Sequence, residues 1–327
     1  MKFRIEKDSL GEVKVPQKAL WGAQTQRALD NFKISGIKFA FPFGRSFIEA
    51  LGIIKYSAAS ANNKLKLLPK NKAAAIKTAS KDVMLGVYDE SFPLDVFQTG
   101  SGTSTNMNAN EVIANVASKK SKSIINANDD VNMSQSSNDV IPTAICISAL
   151  IDMHRILLPN MDGLIKAIDV KMKKVKGNTK TGRTHLMDAM PIDFAQELSG
   201  WKAQLESSKK TLIAATSRMN ELPQGGTAIG TGINTHKDFS KNFCEEVNKI
   251  AVKNMATSEY RFIWVFILCE WLSCLLTNIW IAERVGSTQI VNEDRMIYWL
   301  SDFKSQRTKL FPNSHRKYFF DKQSVQK

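Results

Sequence analysis

The pattern of apolar and polar positions changes along the first part of the chain. Up to about residue 43 it consists of short polar and strand-like pieces, and helices are predicted over Ser46–Leu68 and Ala73–Val87. From Asn108 the chain becomes strongly helical, because Glu111 follows three residues later in an N-cap pattern ahead of an apolar run. A smaller mixed region is therefore predicted to precede a helical one.

A long apolar helix is predicted over Val140–Leu158, directly after the N-cap sequence Ser137–Asp139. Its residues are apolar around most of the helix circumference, so we expect it to lie inside a helical bundle. Further bundle helices are predicted over Pro191–Thr216 and Lys237–Lys253. Because strands and helices do not alternate, the pattern indicates a mainly α fold with a central helical-bundle domain and not a doubly wound sheet.

Composition and charge narrow the class of protein. The 327 residues are 43% apolar, which is enough to bury a large core in one domain or two. The formal net charge is +14, but the lysines are spread along helical stretches without interleaved aromatic residues, which argues against nucleic-acid binding. An excess of positive charge would instead attract small dianions.

The cysteines and the N-terminus predict the compartment. None of the four cysteines, Cys146, Cys244, Cys269 and Cys274, has a metal-ligand spacing, and all lie in helical or apolar contexts. We therefore expect reduced thiols, no disulfide and no metal site, in a cytoplasmic protein. We also expect no signal peptide, because no apolar run follows Met1.

The glycine-rich segment Gly225–Gly232 has two interpretations. It could form a dinucleotide-binding loop, but it follows a predicted helix and lacks the strand that such a loop needs. The sequence favours a tight connection between helices.

Two polar loops carry the candidate chemistry, Gly100–Asn108 and Ser134–Asp139, and each opens onto an apolar helical run. Hydroxyls, amides and free backbone N–H groups at helix N-termini are suited to holding a small anion. A third segment, Thr181–Asp188, adds one of the chain's four histidines, His185. Together the three segments are typical of a site for a small dicarboxylate with a histidine that can move protons.

Each of these segments also has an ordinary structural interpretation. Ser and Thr clusters before helices often serve only as caps, and a lone histidine is more often a surface or core residue than a catalyst. Arg183, beside a predicted helix start, could clamp a carboxylate or pair with a structural acid. For each segment taken alone, these alternatives stay open.

The order of the motifs resembles one family. Phe3–Gly11, Trp21–Gln26, the two polar loops and Thr181–Asp188 follow one another as in the fumarase/aspartase superfamily, and within it the chain resembles class II fumarate hydratase up to about Lys253. The resemblance implies a helical-bundle enzyme that hydrates fumarate reversibly to L-malate without a cofactor. The reaction gathers negative charge on a carboxylate, which each well-aimed donor stabilises by about 2.7–4 kcal/mol.

The resemblance also implies which residues act. His185 would donate or accept the proton through water, and Thr184 would contact the substrate. The other substrate contacts would lie in the two polar loops: Ser101, Gly102, Thr103, Ser136, Ser137 and Asn138. A secondary anion site would comprise Asn126, Ala127, Asn128 and Asp129. Because Asn126 replaces the histidine that is usual there, we expect reduced affinity at that second site.

Two alternatives accompany this prediction. Aspartate ammonia-lyase belongs to the same superfamily, but His185 favours a fumarase, because aspartase-like chains tend to carry glutamine there. The resemblance implies a homotetramer in which each active site draws loops from several subunits. Nothing after about Lys253 resembles the family's Gly-Ser-Ser-x-Met-Pro-x-Lys-x-Asn loop, which carries the serine base. The chain could therefore also be an inactive dicarboxylate-binding fragment that assembles with intact subunits.

Three domains are predicted: an N-terminal lyase domain over residues 1–135, the first part of the bundle over 136–256, and a tail unlike the family over 257–327. The tail holds four of the chain's six tryptophans, and this change in composition favours a reading-frame change or a truncation. Phe262–Ala282 is long and apolar enough to suggest a membrane span, but Glu270 near its centre opposes that interpretation.

Overall fold

The computed structural model describes residues 2–37, 45–251 and 256–257. Helices dominate these ranges, and the strands form small two-stranded pairs. The mainly α fold that the sequence predicts is confirmed. The candidate membrane span Phe262–Ala282 lies outside the described residues.

Two of the six strands in the described ranges lie near the start of the chain, and the other four come after residue 178. The strands are β1 Phe3–Asp8, β2 Gly11–Pro16, β3 Thr179–Thr184, β4 Met187–Asp193, β5 Glu221–Leu222 and β6 Ala256–Thr257. The helices are α1 Ala23–Asn31, α2 Ser46–Lys64, α3 Lys70–Met84, α4 Thr103–Ser121, α5 Ser137–Asp152, α6 Leu158–Val175, α7 Phe194–Met219 and α8 Phe239–Ile250. Strands β1 and β2, and β3 and β4, pair antiparallel, whereas β5 and β6 pair in parallel.

The described residues form two compact units. The first contains the residues up to Gly163 and those from Thr211 onward, and the second contains Leu164–Lys210. The boundaries between the units fall within α6 and within α7.

Helix α2 lies at the centre of the first unit and packs against α3, α5 and α8. Its apolar residues are buried on almost every side, and Leu51 and Ile54 are 0% exposed. Gly52 permits the close contact with α3, because a Cβ there would lie 2.7 Å from Met84 Cγ and 3.0 Å from the backbone oxygen of Ser80. The core is therefore packed to the point where one added carbon would displace its neighbours.

Helix α5 continues through a π-helical turn, Met153–Leu157, into α6, so that one long helix runs over Ser137–Val175. The predicted helix Val140–Leu158 is part of it. By length and composition this helix could cross a membrane, but 56% of its most apolar window is buried inside the protein, as in the core helix of a globular domain. Val140 and Ile147, both 0% exposed, belong to the buried face.

The second unit combines a β-hairpin with parts of two helices. Strands β3 and β4 pair with a register shift between Thr181 and Arg183. Ile168 of α6 and Leu198 and Leu205 of α7 form its apolar core. The helix predicted over Pro191–Thr216 therefore begins later than expected, at Phe194, because Pro191 lies in β4.

The predicted helices Ser46–Leu68, Ala73–Val87 and Lys237–Lys253 correspond to α2, α3 and α8, with ends that differ by a few residues. The predicted helix start at Asn108 is wrong. Helix α4 begins at Thr103, and the buried side chain of Asn108 donates from Nδ2 to the backbone oxygen of Ser91 at 2.9 Å. The mixed region before residue 43 also contains a helix, α1, that the sequence pattern did not predict.

Candidate functional site

The first polar loop leads into α4. Gly102 is the N-cap residue of this helix and has a φ of 69°, in the left-handed region that favours glycine. A Cβ at Gly102 would also lie 2.8 Å from Cγ1 of Ile141 in α5. Glycine at this position therefore permits both the turn of the chain and the close contact between α4 and α5.

The N-terminus of α4 carries hydrogen-bond donors that no group among the described residues occupies. Gln98 Oε1 accepts from the backbone N–H of Thr105 at 2.9 Å, but the N–H groups of Thr103 and Ser104 have no acceptor in the part of the chain that the structure describes. The exposed Ser101 adds a hydroxyl, with Oγ 2.9 Å from Thr103 Oγ1. Free N–H groups and the partial positive charge of a helix N-terminus are suited to binding an anion.

The second polar loop forms the N-terminus of α5, where Ser136 and Asp139 cap the helix reciprocally. Ser136 Oγ accepts from the N–H of Asn138 at 3.3 Å, and Asp139 Oδ1 accepts from the N–H of Ser136 at 2.9 Å. The Ser137 hydroxyl and the exposed Asn138 side chain take no part in these two bonds. The structural interpretation as a cap therefore applies to Ser136 and not to Ser137.

The two polar loops are neighbours in the first unit. Asn106, one turn inside α4, donates from Nδ2 to Ser137 Oγ at 3.0 Å. Together with the contact between Gly102 and Ile141, this bond places the N-termini of α4 and α5 next to each other. The structure thus brings together the predicted substrate contacts of both loops, Ser101–Thr103 and Ser136–Asn138.

The glycine-rich segment packs on the start of α5. Asp139 Oδ2 accepts from the N–H groups of Gly225 and Thr227, each at 2.9 Å, and Asn138 Nδ2 donates to the oxygen of Ala228 at 2.7 Å. Burial raises the pKa of Asp139 above its ordinary value, while bonds from backbone N–H groups act in the opposite direction. The segment connects α7 to α8, as predicted, although the short strand β5 precedes it.

The predicted proton-transfer histidine lies at a hairpin turn. His185 and Leu186, with φ of 49° and 63°, connect β3 to β4. Thr184 and His185 are both exposed. They belong to the second unit, whereas the two polar loops belong to the first.

Arg183 lies on a strand of the same hairpin and not beside a helix start, which corrects the sequence interpretation. Its Nε donates to Asp188 Oδ1 on the opposite strand at 3.0 Å. Both side chains are exposed, and surface pairs of this kind contribute about 0–1 kcal/mol. Of the two alternatives for Arg183, the structure supports pairing with a structural acid.

The predicted secondary anion site folds into the π-helical turn Ala127–Val131. Asn126 Oδ1 accepts from the N–H groups of Asn128 at 2.8 Å and Asp129 at 3.0 Å. The donors that an anion would use at the start of this turn are therefore occupied by the side chain of Asn126 itself.

The described cysteines and acids show no metal-binding group. Across the described ranges, no cluster of three or more His, Cys, Asp or Glu side chains could hold a metal ion. Cys146 and Cys244 are buried and form no disulfide with a described residue, and burial raises the pKa of the Cys146 thiol to about 12. Cys269 and Cys274 lie outside the described residues.

Comparison with known proteins identifies the family. A family model described as lyase matches residues 11–265, which is most of the chain. The chain belongs to the lyase family. The predicted resemblance to class II fumarate hydratases is confirmed by the relatives that this lyase chain matches.

Two curated relatives and one solved structure illustrate the similarity. The lyase chain is 50% identical over 261 residues to a class II fumarate hydratase of Xylella fastidiosa, covering 80% of this chain and 54% of the relative. It is 46% identical over 267 residues to the class II fumarate hydratase of Bacillus subtilis, covering 80% of this chain and 57% of that relative. A crystal structure of class II fumarase from Schistosoma mansoni superposes with a TM-score of 0.83 at 32% identity, covering 88% of this chain and 64% of that one. The chain spans about half the length of the curated relatives it matches.

Sequence reasoning missed one buried charge of this lyase chain. Lys55 of α2 is 0% exposed, and its Nζ donates to Asn106 Oδ1 at 2.8 Å, Gln135 Oε1 at 2.9 Å and Asn132 Oδ1 at 3.0 Å. Burial lowers the pKa of Lys55 to about 7, while the charge of Asp139 acts to raise it. The available signal was a single lysine within an otherwise apolar stretch of helix.

Proposed function

We propose that this lyase chain acts in the reversible hydration of fumarate to L-malate, with the N-termini of α4 and α5 holding the dicarboxylate. The observation that carries the proposal is the adjacent pair of helix N-termini, with free N–H groups at Thr103 and Ser104 and a hydroxyl at Ser137. These residues lie within the segment that the family model matches. The names of the similar proteins, class II fumarate hydratases, support fumarate as the substrate.

In this proposal the two polar loops donate hydrogen bonds to the substrate carboxylates, and Thr184 adds a further contact. His185 accepts or donates the proton through water, because an imidazole ring can act either as a base or, once protonated, as an acid. Negative charge that develops on the carboxylate is stabilised by donors already oriented at the helix ends. The net charge of +14 favours the approach of a dianion, and this chemistry requires no cofactor.

The family resemblance extends the proposal to assembly and compartment. We propose a homotetramer in the cytoplasm, with an N-terminal domain over residues 1–135 and the bundle beginning at residue 136. The +14 charge supports small anions over nucleic acid as the partner, because no aromatic residues interleave the lysines.

Malate formation from fumarate tests the proposal. It is measured for the chain alone and for the chain mixed with the full-length Xylella fastidiosa relative in which the residue that aligns with His185 is replaced by Asn. We expect malate formation that depends on His185 in at least one of the two samples. The matched control is the chain with His185→Asn, which should add nothing. Equal rates for the wild-type and His185→Asn chains in both samples would contradict the proposal.

The same samples separate the two alternatives. Release of ammonia from L-aspartate, without malate formation from fumarate, would replace the proposal by aspartate ammonia-lyase activity. Binding of fumarate without any His185-dependent turnover would identify the chain as a dicarboxylate-binding fragment.

A further inference from the structure

The buried ammonium of Lys55 is held by neutral groups. Its three N–H donors meet three side-chain amide oxygens, from Asn106, Asn132 and Gln135. Lys55 forms no ion pair with any acid that the structure describes. A buried charge without a paired carboxylate is costly unless each of its donors has an acceptor. The three amide groups around Lys55 must therefore turn their oxygens toward its ammonium group.

That consequence concerns the direction of each amide. The oxygen and nitrogen of a side-chain amide have nearly the same shape, and only hydrogen-bond partners decide which way the group points. Lys55 offers donors alone, so Asn106 must turn its oxygen to Lys55 and its NH2 group away. The Asn106 Nδ2 group can only donate, and it donates to Ser137 Oγ at 3.0 Å and to Asn132 Oδ1 at 3.3 Å.

The Ser137 hydroxyl oxygen therefore accepts a hydrogen bond from Asn106 Nδ2. Its own proton has no acceptor within the described ranges, since the bond from Asn106 is the one contact of this hydroxyl. The proton is free to point toward the neighbouring N-terminus of α4, where Thr103 and Ser104 have unoccupied N–H groups. All three donors then serve one anion.

We propose that Lys55 is a positioning residue of the dicarboxylate site: through Asn106 it keeps the Ser137 hydroxyl oriented as a donor to the bound ligand. The inference rests on the proposed function, because the ligand is the dicarboxylate. It adds a residue that does not touch the ligand but determines how a contact residue meets it.

The inference has a pH dependence. Above about pH 7, where burial places its pKa, Lys55 loses a proton and has two N–H donors for three oxygens. Asn106 is then held less firmly in the orientation that the site requires. Fumarate affinity should fall as the pH rises through about 7, and the fall should be absent in a Lys55→Met variant.

Among the charged groups around Lys55, one acid acts on its pKa. Asp139 of α5 is the acid whose charge acts on Lys55. The other acids on elements packed against α2 are the exposed Asp129 and a set that accepts hydrogen bonds from other groups: Asp82, Glu111, Asp130, Asp152, Glu245 and Glu246. On α3, Lys77 and Lys81 lie over the ring of Tyr56.

The decisive variant is Asn106→Asp, which changes one group without changing its size. The introduced carboxylate accepts from Lys55 and also from the Ser137 hydroxyl, so the hydroxyl proton turns inward and is lost to the ligand. Fumarate binding, measured by titration calorimetry on the purified chain, should weaken about tenfold, the effect of losing one hydrogen bond to an anion. Ser137→Ala should weaken binding to a similar degree.

A double variant and a control complete the experiment. Asn106→Asp combined with Ser137→Ala should bind no more weakly than either single variant, because both remove the same donor. Ser57→Ala is the control: Ser57 is buried on α2 like Lys55, its hydroxyl has no partner among the described residues, and binding should be unchanged. Thermal unfolding of each variant confirms that it is folded.

The outcomes separate the inference from the proposed function. Wild-type affinity in Asn106→Asp, losses that multiply in the double variant, or an unchanged pH profile in Lys55→Met would overturn the role of Lys55 and leave the dicarboxylate site standing. Absence of fumarate binding by the wild-type chain would overturn both.

Discussion

At the scale of single residues, Gly102 meets two requirements at once. Its backbone conformation is one that other residues adopt at a cost, and its missing side chain lets α5 approach α4. Gly100, two residues earlier in the same loop, has open space around its Cα and no positive φ. The pair therefore offers an internal comparison.

Gly102→Ala should lower the free energy of unfolding by about 1–3 kcal/mol, because the new Cβ adds backbone strain and meets the Ile141 side chain. Gly100→Ala should change it by less than about 0.5 kcal/mol. Urea unfolding of the two variants measures both values. A loss at Gly100 as large as that at Gly102 would show that the close approach of α4 to α5 is not what requires glycine.

Gln224 is a buried polar side chain whose amide group has no hydrogen-bond partner among the described residues. It is 0% exposed, and neither its Nε2 nor its Oε1 has a partner in the described part of the chain. Gln224→Leu should raise the free energy of unfolding by about 1–3 kcal/mol, because it removes two unsatisfied polar atoms. Gln98→Leu should lower it, because Gln98 Oε1 accepts from the N–H and the hydroxyl of Thr105. The unfolding temperature of each variant measures the effect. Changes in the same direction for Gln224→Leu and Gln98→Leu would show that the missing hydrogen bonds of Gln224 are not what lowers stability.

The sequence predicts the polar loop residues of the candidate site but not the buried lysine beside them. Ser101 and Ser137 were predicted because hydroxyls before an apolar run are visible in the local pattern. Lys55 was missed because its partners, Asn106, Asn132 and Gln135, come from distant parts of the chain. A buried ammonium is identified by what surrounds it, and that information is tertiary.

At the scale of elements, the role of Glu111 explains why the sequence predicts the start of α4 wrongly and does not predict α1. The spacing of Asn108 and Glu111 resembles a cap, but the buried Glu111 carboxylate caps a different helix. It accepts from the N–H groups of Gly22, Gln24 and Thr25 at the start of α1, and burial raises its pKa. The start of α4 was therefore placed too late. Helix α1 was not predicted because its capping group lies far away in the sequence.

The β3–β4 hairpin was missed for a related reason. Met187–Asp193 has no strong strand pattern and pairs as a strand only because β3 lies beside it. Pro191 is tolerated there because a two-stranded sheet leaves every strand with a free edge. The long apolar helices, by contrast, were predictable, since their pattern is local and continuous.

Asp139 connects two elements, and its substitution gives a prediction at this scale. Its carboxylate accepts from the N–H of Ser136 and from those of Gly225 and Thr227. In Asp139→Asn, an NH2 group would face at least one of these donors, so we expect the unfolding free energy to fall by about 1–3 kcal/mol. Amide hydrogen exchange at Gly225 and Thr227 should become faster.

The exposed Asp188→Asn, which removes only a surface pair with Arg183, is the control and should leave that exchange unchanged. Unchanged exchange in Asp139→Asn as well would mean that the glycine-rich segment is held on α5 by other contacts.

At the scale of the whole molecule, the fold class and the family were predictable from the order of long helices and polar loops along the chain. The family model and the fumarate hydratase relatives agree with that order. The two compact units were not predictable, because their boundaries fall inside the continuous helices α6 and α7. We propose that this fold serves to place the N-termini of α4 and α5 side by side, where they bind a dicarboxylate.

The most direct measurement is an NMR titration of the chain with fumarate that follows backbone N–H resonances. We expect the resonances of Thr103, Ser104 and Ser137 to shift together and to saturate at the same fumarate concentration. Asn128 and Asp129 serve as an internal control and should not shift, because their N–H groups already bond to the Asn126 side chain. Shifts confined to Asn128 and Asp129, or no shifts at the start of α4 and α5, would show that these two helix N-termini do not bind fumarate.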